Sequence, residues 1–377
     1  MMQTDLRFVG GSALIDNALR TEPVTVANGV IGDGVARKDI DVSGYYVLPG
    51  IIDLHGDGFE RHIAPRRGAL RDARTGLASV EGELAANGIT TAWLAQFWSW
   101  EGGMRSPANA RRFLTALGSY AGLGTDMRAQ LRVETHMLDD YDAIAALIAE
   151  FGIGYAVFND HLPHARLEAG KTPKGSVGQA LRAGLNPEVY LALQQELHAR
   201  APEVPAAVAK LAARLAETGV KLGSHDDNTA EGREWCHGIG VQIGEFPETA
   251  EAARAPGAVI MGSPNVMRGG SHKGNVAAVD LIRDGLCDAL ASDYHYPAPV
   301  QAVAHLVADG MDFAKAWQLL CSGPASVIGL ADRGQIKPGL RADLVVFDPV
   351  GTRILATMAG GRFTYLAGDM AARVLVA

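Results

Sequence analysis

The chain has 377 residues, of which 48% are hydrophobic and 20% charged, and its formal net charge is -8. This length fits one barrel domain of roughly 250 residues together with a smaller module. The acidic balance argues against a nucleic-acid-binding protein, which would carry a basic face. The sequence contains no apolar run of about 18 residues, as a membrane span requires, and residues 1–7 lack the features of a secretory signal. We therefore expect a cytoplasmic protein without a nucleic-acid or membrane partner.

Both ends of the chain predict short strands. The first 47 residues alternate apolar and polar side chains between Gly and Asn turn signals, and residues 342–347 and 362–366 repeat this pattern near the carboxyl terminus. Such alternation is typical of strands with one buried face. Two β-rich ends around a long middle predict one small β-sandwich subdomain, built from residues 1–47 and 335–377.

The middle of the chain contains eight apolar strand candidates, most of them followed by a helical stretch rich in Ala, Leu and Glu. They are residues 48–54, 89–95, 129–135, 153–159, 220–224, 239–244, 258–262 and 286–292. This alternation is typical of parallel βα units and predicts a TIM-like (β/α)8 barrel, an α/β fold, over residues 48–334. In such a barrel the functional side chains lie at the carboxyl ends of the strands.

His or carboxylate residues follow six of the eight predicted strands. They are His55 and Asp57, Glu134 and His136, Asp160 and His161, then His225, Asp226 and Asp227, then Glu245, and last Asp293 and His295. Residues two apart in a strand point the same way, so the first pair can bind one ion. Taken singly, such a residue is more often a cap or turn residue. Together, imidazoles and carboxylates suit Zn²⁺ or a similar divalent ion, and carboxylates can bridge two ions.

Several segments carry a resemblance to the amidohydrolase superfamily. They are Leu-Pro-Gly-Ile-Ile-Asp-Leu-His at 48–55, Gly-Ile-Thr-Thr at 88–91 and Gly-Leu-Arg-Ala-Asp-Leu-Val-Val at 339–346. Within it, the segments 223–229, 244–249, 261–266 and 268–278 are similar to the PhnM branch, the α-D-ribose 1-methylphosphonate 5-triphosphate diphosphatases of phosphonate metabolism. The superfamily usually has a second His where this chain has Asp57, and the branch also shows that Asp.

The resemblance implies a hydrolase that cleaves a ribose 5-triphosphate and releases diphosphate with water activated by one or two divalent ions. Zn²⁺ is the expected ion, with Mn²⁺ and Fe²⁺ as alternatives. The implied metal ligands are His55, Asp57, Glu134, His161, His225, Glu245 and Asp293. Of these, Glu134 would bridge two ions, Glu245 is the least certain, and Asp293 would also accept the proton of the attacking water.

A triphosphate carries about four negative charges, so its site needs cations. Two basic clusters follow the first and seventh predicted strands and would lie at the mouth of the barrel. The cationic residues expected to bind substrate are Arg61, Arg66, Arg67, Arg268, His272 and Lys273. The alternative interpretation of each cluster is a solvated basic loop.

Two other functions remain open from the sequence. A metal-dependent amidohydrolase or deacetylase acting on a small substrate without a triphosphate would share the barrel and the ligands, but it would not need two basic clusters. A noncatalytic barrel that serves as a scaffold would be expected to lose ligands at several strand ends. The expected partner is a small phosphorylated molecule, and a homo-oligomer is a further expectation.

Overall fold

The computed structural model describes residues 5–32, 34–64, 72–270 and 274–376. The strands are β1 (Leu6–Val9), β2 (Ser12–Ile15), β3 (Ala18–Arg20), β4 (Val24–Ala27), β5 (Val30–Ile31), β6 (Asp39–Asp41), β7 (Tyr46–Pro49), β8 (Ile51–Gly56), β9 (Ile89–Trp98), β10 (Asp126–Glu134), β11 (Tyr155–Asn159), β12 (Lys221–His225), β13 (Ile243–Glu245), β14 (Ala258–Gly262), β15 (Ala289–Ala291), β16 (Leu344–Asp348), β17 (Arg353–Ala359) and β18 (Arg362–Leu366).

Helices occupy most of the connections between these strands. They are α1 (Glu60–Ile63), α2 (Ala73–Ala86), α3 (Pro107–Gly118), α4 (Tyr141–Phe151), α5 (His164–Glu168), α6 (Ser176–Ala183), α7 (Pro187–Ala199), α8 (Val204–Glu217), α9 (Ala230–Gly238), α10 (Ala250–Arg254), α11 (Ser263–Arg268), α12 (Ala278–Arg283), α13 (Ala298–Ala308), α14 (Phe313–Gln318), α15 (Ser322–Ile328) and α16 (Gly368–Val376). Among the helices described, none is long and apolar enough to cross a membrane.

Strands β8 to β15 form one eight-stranded sheet in chain order, and neighbouring strands pair in parallel. The sheet closes on itself where Gly56 forms a parallel bridge with Asp293. There the amide N–H of Asp293 donates to the His55 carbonyl oxygen, and the N–H of Asp57 donates to the Asp293 carbonyl oxygen, each at 2.9 Å. Each predicted strand window overlaps one barrel strand, so the prediction of a (β/α)8 barrel is confirmed.

The first predicted strand differs from the structure, because residues 48–54 are divided between two sheets. β7 pairs with β2 and β16 in the terminal sheet, and the barrel begins at β8. Gly50 separates the two strands, and a Cβ atom at that position would lie 2.4 Å from the Thr90 hydroxyl oxygen. Glycine is therefore needed where the chain passes from one sheet to the other.

The two ends of the chain form the β subdomain. One six-stranded sheet has the order β18-β17-β16-β7-β2-β3 and so combines strands from both termini, and a four-stranded sheet has the order β5-β4-β1-β6. The sheets share one hydrophobic core that includes Phe8, Val26, Val47, Leu344 and Met358. The predicted sandwich from both termini is confirmed. We propose residues 1–47 with 335–377 and residues 48–334 as the two domains, with β7 crossing the first boundary.

The interior of the barrel is apolar below the carboxyl ends of its strands. Ile52 and Leu54 of β8 pack in one cluster with Val157, Ile243 and Ile260 from the later strands. Because this cluster fills the interior, the polar side chains that follow it along each strand are placed at the carboxyl end. That end contains the candidate site.

Candidate metal centre

The carboxyl ends of β8, β12 and β15 bring four of the predicted ligands together. His55, Asp57 and Asp293 each offer a ligand atom within 4.8 Å of the others. The imidazole of His225 lies beside them, with its ring centroid 5.3 Å from that of His55. His55 is fully buried, whereas the other three are partly accessible. Two imidazoles and two carboxylates therefore lie together inside the barrel, at the carboxyl end of its strands.

The ring of His55 is held from behind by Glu245. One Glu245 oxygen lies 2.7 Å from Nδ1 of His55, and the other accepts hydrogen bonds from the Tyr155 hydroxyl at 2.6 Å and from Nε2 of Gln130 at 2.7 Å. Burial acts to raise the pKa of Glu245, but the adjacent His55 lowers it overall. Both carboxylate oxygens have partners, so Glu245 can orient the His55 ring. Glu245 also offers a ligand atom within 4.8 Å of those of His55 and His225, and its role as a metal ligand stays a prediction.

Two further predicted ligands, Glu134 and His161, form a second group next to the first. Glu134 Oε1 lies 2.6 Å from His161 Nδ1, and neither atom makes a hydrogen bond within the described part of the chain. Glu101 offers a third ligand atom to this group and was not predicted from the sequence. The ring of His225 lies 6.4 Å from that of His161, so it adjoins both groups.

The centre of the first group contains a buried guanidinium that sequence reasoning missed. Nη2 of Arg132 lies 2.9 Å from Nε2 of His225, and Nη1 lies 4.0 Å from an Asp57 oxygen. The guanidinium is fixed by hydrogen bonds of 2.8 and 3.2 Å to the Asn159 side-chain oxygen and lies 4.0 Å from the centroid of the Phe97 ring. A rigid cation at this point can bind an anionic substrate.

The sequence contained a signal for Arg132. In β10 the residues Arg128, Gln130, Arg132 and Glu134 are spaced by two and therefore share one face of the strand. A strand of a closed barrel is covered on both faces, so a polar residue at every second position indicates the face that points into the barrel. Arg105, whose guanidinium carbon lies 4.1 Å from the same Phe97 centroid, follows β9 in a loop and has no comparable signal.

The residues present fit a divalent metal ion. Burial and the neighbouring Arg132 lower the pKa of His225 to about 4, so its imidazole is neutral at physiological pH. Arginine can only donate, so Nε2 of His225 carries a lone pair that accepts from Arg132, and a bound ion would have to take the place of that contact. A neutral imidazole, carboxylates, and the unpaired atoms of Glu134 and His161 are the donor set that Zn²⁺ and similar ions prefer.

Asp293 has the chemistry expected of a proton acceptor. Burial, followed by the nearby Asp57 charge, raises the pKa of Asp293 to about 7. Its backbone is left-handed, with φ 56°, and the residues that follow β12 and β13 are similar, with φ 59° at Asp226 and 55° at Phe246. Non-glycine residues in this region are strained and tend to occur where function requires a defined side-chain direction. Three such residues therefore follow β12, β13 and β15 at the carboxyl end of the barrel.

Two of the cations predicted to bind substrate lie at the mouth of the barrel. Arg61 donates to the carbonyl oxygen of Tyr294 at 3.0 Å and also pairs with Glu83. The guanidinium of Arg268 lies 5.7 Å from the centroid of the Tyr294 ring. Both therefore flank the loop that follows β15. The other predicted cations, Arg66, Arg67, His272 and Lys273, lie outside the described residues.

A closed parallel barrel with imidazole and carboxylate side chains at the carboxyl ends of its strands defines a metal-dependent hydrolase. The chain belongs to the amidohydrolase family, whose model matches residues 125–370. The predicted resemblance is thereby confirmed, since the chain is also 31% identical over 351 residues to the Escherichia coli (strain K12) α-D-ribose 1-methylphosphonate 5-triphosphate diphosphatase. That match covers 88% of this chain and 92% of the relative.

Solved structures show the same fold at lower sequence identity. A crystal structure of an amidohydrolase superposes with a TM-score of 0.68 at 15% identity and covers 97% of this chain and 100% of its own. The β-aspartyl dipeptidase from Fervidobacterium islandicum AW-1 gives a TM-score of 0.61 at 15% identity, with 96% and 97% of the two chains covered. These likenesses support the barrel architecture.

Proposed function

We propose that the protein hydrolyses the 5-triphosphate of α-D-ribose 1-methylphosphonate, or a related triphosphate, and releases diphosphate. The observation that carries the proposal is the buried Arg132 guanidinium among His55, Asp57 and His225, which combines metal ligands with a fixed anion-binding group. The choice of substrate is supported by the similarity to the Escherichia coli diphosphatase over 88% of this chain. An uncharged amide substrate would give the guanidinium no charge to neutralise.

We assign His55, Asp57, His225 and Asp293 to one metal ion, and Glu134 with His161 to a second where two are bound. When bound, a divalent ion lowers the pKa of water to about 7 and offsets charge on phosphoryl oxygens. Asp293, whose carboxylate lies at this centre with His55 and Asp57, would accept the proton of the attacking water. The water oxygen bonds to the α-phosphorus, and the bond from that phosphorus to the bridging oxygen breaks, so that diphosphate leaves.

The cations divide the binding of the triphosphate between the centre and the mouth of the barrel. Arg132 is held by Asn159 and Phe97, so it can donate to a phosphoryl oxygen with little further loss of side-chain freedom. Arg61 and Arg268, which flank Tyr294, lie where the leaving diphosphate would pass to solvent. Guanidinium groups suit this task because each can donate to two phosphate oxygens at once.

The direct test is an assay of product identity. The purified protein, loaded with Zn²⁺ or Mn²⁺, is incubated with α-D-ribose 1-methylphosphonate 5-triphosphate, with ATP and with N-acyl amino acids or amino sugars. We expect one diphosphate per ribose triphosphate and no orthophosphate. Hydrolysis of the N-acyl compounds alone would favour the amidohydrolase or deacetylase alternative. If the protein neither binds metal nor hydrolyses any of these compounds, the noncatalytic scaffold is favoured.

Arg268→Ala tests the binding of the triphosphate separately from the chemistry. Hydrogen bonds to charged groups contribute about 1.5–3 kcal/mol, so we expect KM to rise by roughly 10- to 150-fold with metal content unchanged. The matched control is Arg254→Ala, which removes an exposed guanidinium that pairs with Asp284 on the outer surface. Equal KM values for the two variants would remove Arg268 from the substrate site.

A further inference from the structure

A further group of metal-ligating side chains adjoins the two groups of the barrel centre and shares no residue with them. His136 follows β10, Asp160 follows β11, and His164 is the first residue of α5. Each of the three offers a ligand atom within 4.8 Å of the others. The ring of His198, near the end of α7, lies 5.0 Å from the ring of His164. Neither the proposed hydrolysis nor the phosphate-binding residues use this group.

The distances within the group match those of ligands around one ion. The two Asp160 oxygens lie 2.9 Å from Nε2 of His164 and 3.6 Å from Nδ1 of His136. Zinc binds nitrogen and oxygen at about 2.0–2.2 Å with tetrahedral geometry, which places two ligand atoms about 3.3 Å apart. The observed distances lie on either side of this value. Asp160 therefore stands between two imidazoles at a spacing that a single ion would satisfy.

An unpaired atom distinguishes this group from an ordinary hydrogen-bonded cluster. His136 is only 2% exposed, and its Nε2 has no hydrogen-bond partner among the residues described. A buried polar nitrogen without a partner costs free energy, and most native structures avoid it. An ion bound at Nε2 would remove that cost, whereas an ion bound at Nδ1, the nitrogen 3.6 Å from Asp160, would leave Nε2 with the ring proton.

The contact between His164 and His198 accommodates the tautomer that a metal ligand needs. Their Nδ1 atoms lie 2.7 Å apart, so one of the two must donate and the other accept. If His164 binds through Nε2, its Nδ1 carries the proton and donates to His198. This is the arrangement by which a second residue orients a ligating imidazole.

We propose that His136, Asp160 and His164 bind a further divalent ion of the Zn²⁺ type, in addition to any ion at the barrel centre. His198 orients His164 in this site. The site joins the ends of two barrel strands to α5 and α7, which belong to the long connection between β11 and β12. That connection packs on the barrel through a small cluster of Trp100, Leu162, Ala180 and Tyr190. Trp100 also donates to Glu134 at 3.2 Å. An ion bound here would hold this connection against the barrel, and the contact of Trp100 with Glu134 would carry that support to the barrel centre.

The test compares metal stoichiometry in variants of the full chain after dialysis against Zn²⁺. His164 and Asp160 are partly exposed, so His164→Ala and Asp160→Asn leave the buried His136 in place. We expect each variant to lose one equivalent of zinc relative to the unmodified protein. His305→Ala, which removes an exposed histidine of α13, is the control and should retain every equivalent.

Two further measurements separate this site from the barrel centre. His225→Ala should lower the zinc content of the barrel centre, but the equivalent of zinc that depends on His164 should remain. When Co²⁺ replaces zinc in this variant, that site should give the visible absorption of a four-coordinate ion. His198→Ala should weaken that equivalent by roughly 10- to 100-fold without abolishing it. The proposal is overturned if His164→Ala and Asp160→Asn bind as much zinc as His305→Ala does, with the same affinity.

Discussion

Two groups of buried charges lie at opposite ends of the barrel and differ in how completely they are paired. At the amino end, Nη1 of Arg333 donates to Asp126 at 2.7 Å and to the Thr91 hydroxyl at 2.9 Å, while Asp343 accepts from Arg341 at 2.6 Å. At the carboxyl end, Oε1 of Glu134 and Nδ1 of His161 form an ion pair at 2.6 Å, but neither atom makes a hydrogen bond within the described residues. The first group is complete from the chain alone, and the second is not.

This difference identifies function more reliably than a displaced pKa does. Burial raises the pKa of Asp343 to about 6 at the amino end, against the opposing effect of Arg341, and raises that of Asp293 to about 7 at the carboxyl end. Judged by their raised pKa values alone, both carboxyl groups would be candidate functional residues. What separates these two groups is that the Arg333 and Asp343 side chains are hydrogen-bonded, whereas Oε1 of Glu134 and Nδ1 of His161 are not.

The largest effect should follow the loss of the proton acceptor at the carboxyl end. Asp293→Asn keeps the shape of the side chain and removes its basicity, so turnover of the triphosphate should fall by roughly 10²- to 10⁴-fold. The rate is measured across pH 6–9 with saturating metal. Asp369→Asn, at the exposed start of α16, is the matched control. Near-normal turnover across that range would assign the proton to another group.

The amino end should respond in stability and not in chemistry. Arg333→Met removes a nearly buried guanidinium and its hydrogen bond to Asp126, which typically costs about 1.5–3 kcal/mol in the free energy of unfolding. The two carboxylates keep their other partners, Arg128 for Asp126 and Arg341 for Asp343. Urea unfolding measures this loss. Arg353→Met, which breaks an exposed pair with Asp348, should cost less than about 1 kcal/mol. A loss of metal binding in folded Arg333→Met would show that the two ends are not independent.

The barrel could be predicted because local sequence patterns determine it. Each strand is a short apolar run followed by a polar residue, and parallel strands place those polar residues at one end of the sheet. That reasoning led to His55, His225 and Asp293, which the structure brings together. The start of the first strand was wrong because Gly50 moves the chain between two sheets without breaking the apolar run.

The remaining parts of the site depend on long-range packing that sequence patterns do not contain. The role of Glu245 follows from contacts with Tyr155 and Gln130, which come from other strands. The contact of His198 with His164 requires α7 to return to α5. In each case the residue type was visible in the sequence, but its partner was decided by the fold.

Glu245→Gln tests whether Glu245 orients the ring of His55 or binds the ion itself. The amide cannot accept from His55 while its oxygen also accepts from Tyr155 and Gln130, so the ring loses its support. We expect metal affinity to fall by roughly 10- to 100-fold, as measured by competition with a chelator. Glu251→Gln, in the first turn of α10, is the control. Complete loss of the ion would make Glu245 a ligand.

The smallest effect concerns pH and the metal-free protein. Because burial raises the pKa of Asp293 to about 7, above its ordinary value of 3.8, the folded state binds a proton that the unfolded state releases between these values. Its contribution to stability is therefore present at acidic pH and is lost as the pH rises through about 7. Asp293→Asn has no charge to bury. Between pH 5 and pH 8, its free energy of unfolding should therefore rise by about 1–2 kcal/mol relative to that of the unmodified protein.

Urea unfolding of both proteins after metal removal gives the difference directly. Asp343 titrates in both proteins, so the pH dependence of the amino end cancels and the difference reports on the carboxyl end alone. Zn²⁺ should reverse the gain, because the ion stabilises the ionised carboxylate that the variant lacks. Parallel pH profiles for the two metal-free proteins would mean that Asp293 is already ionised in the fold. The contrast between the two ends would then rest on the unpaired atoms of Glu134 and His161.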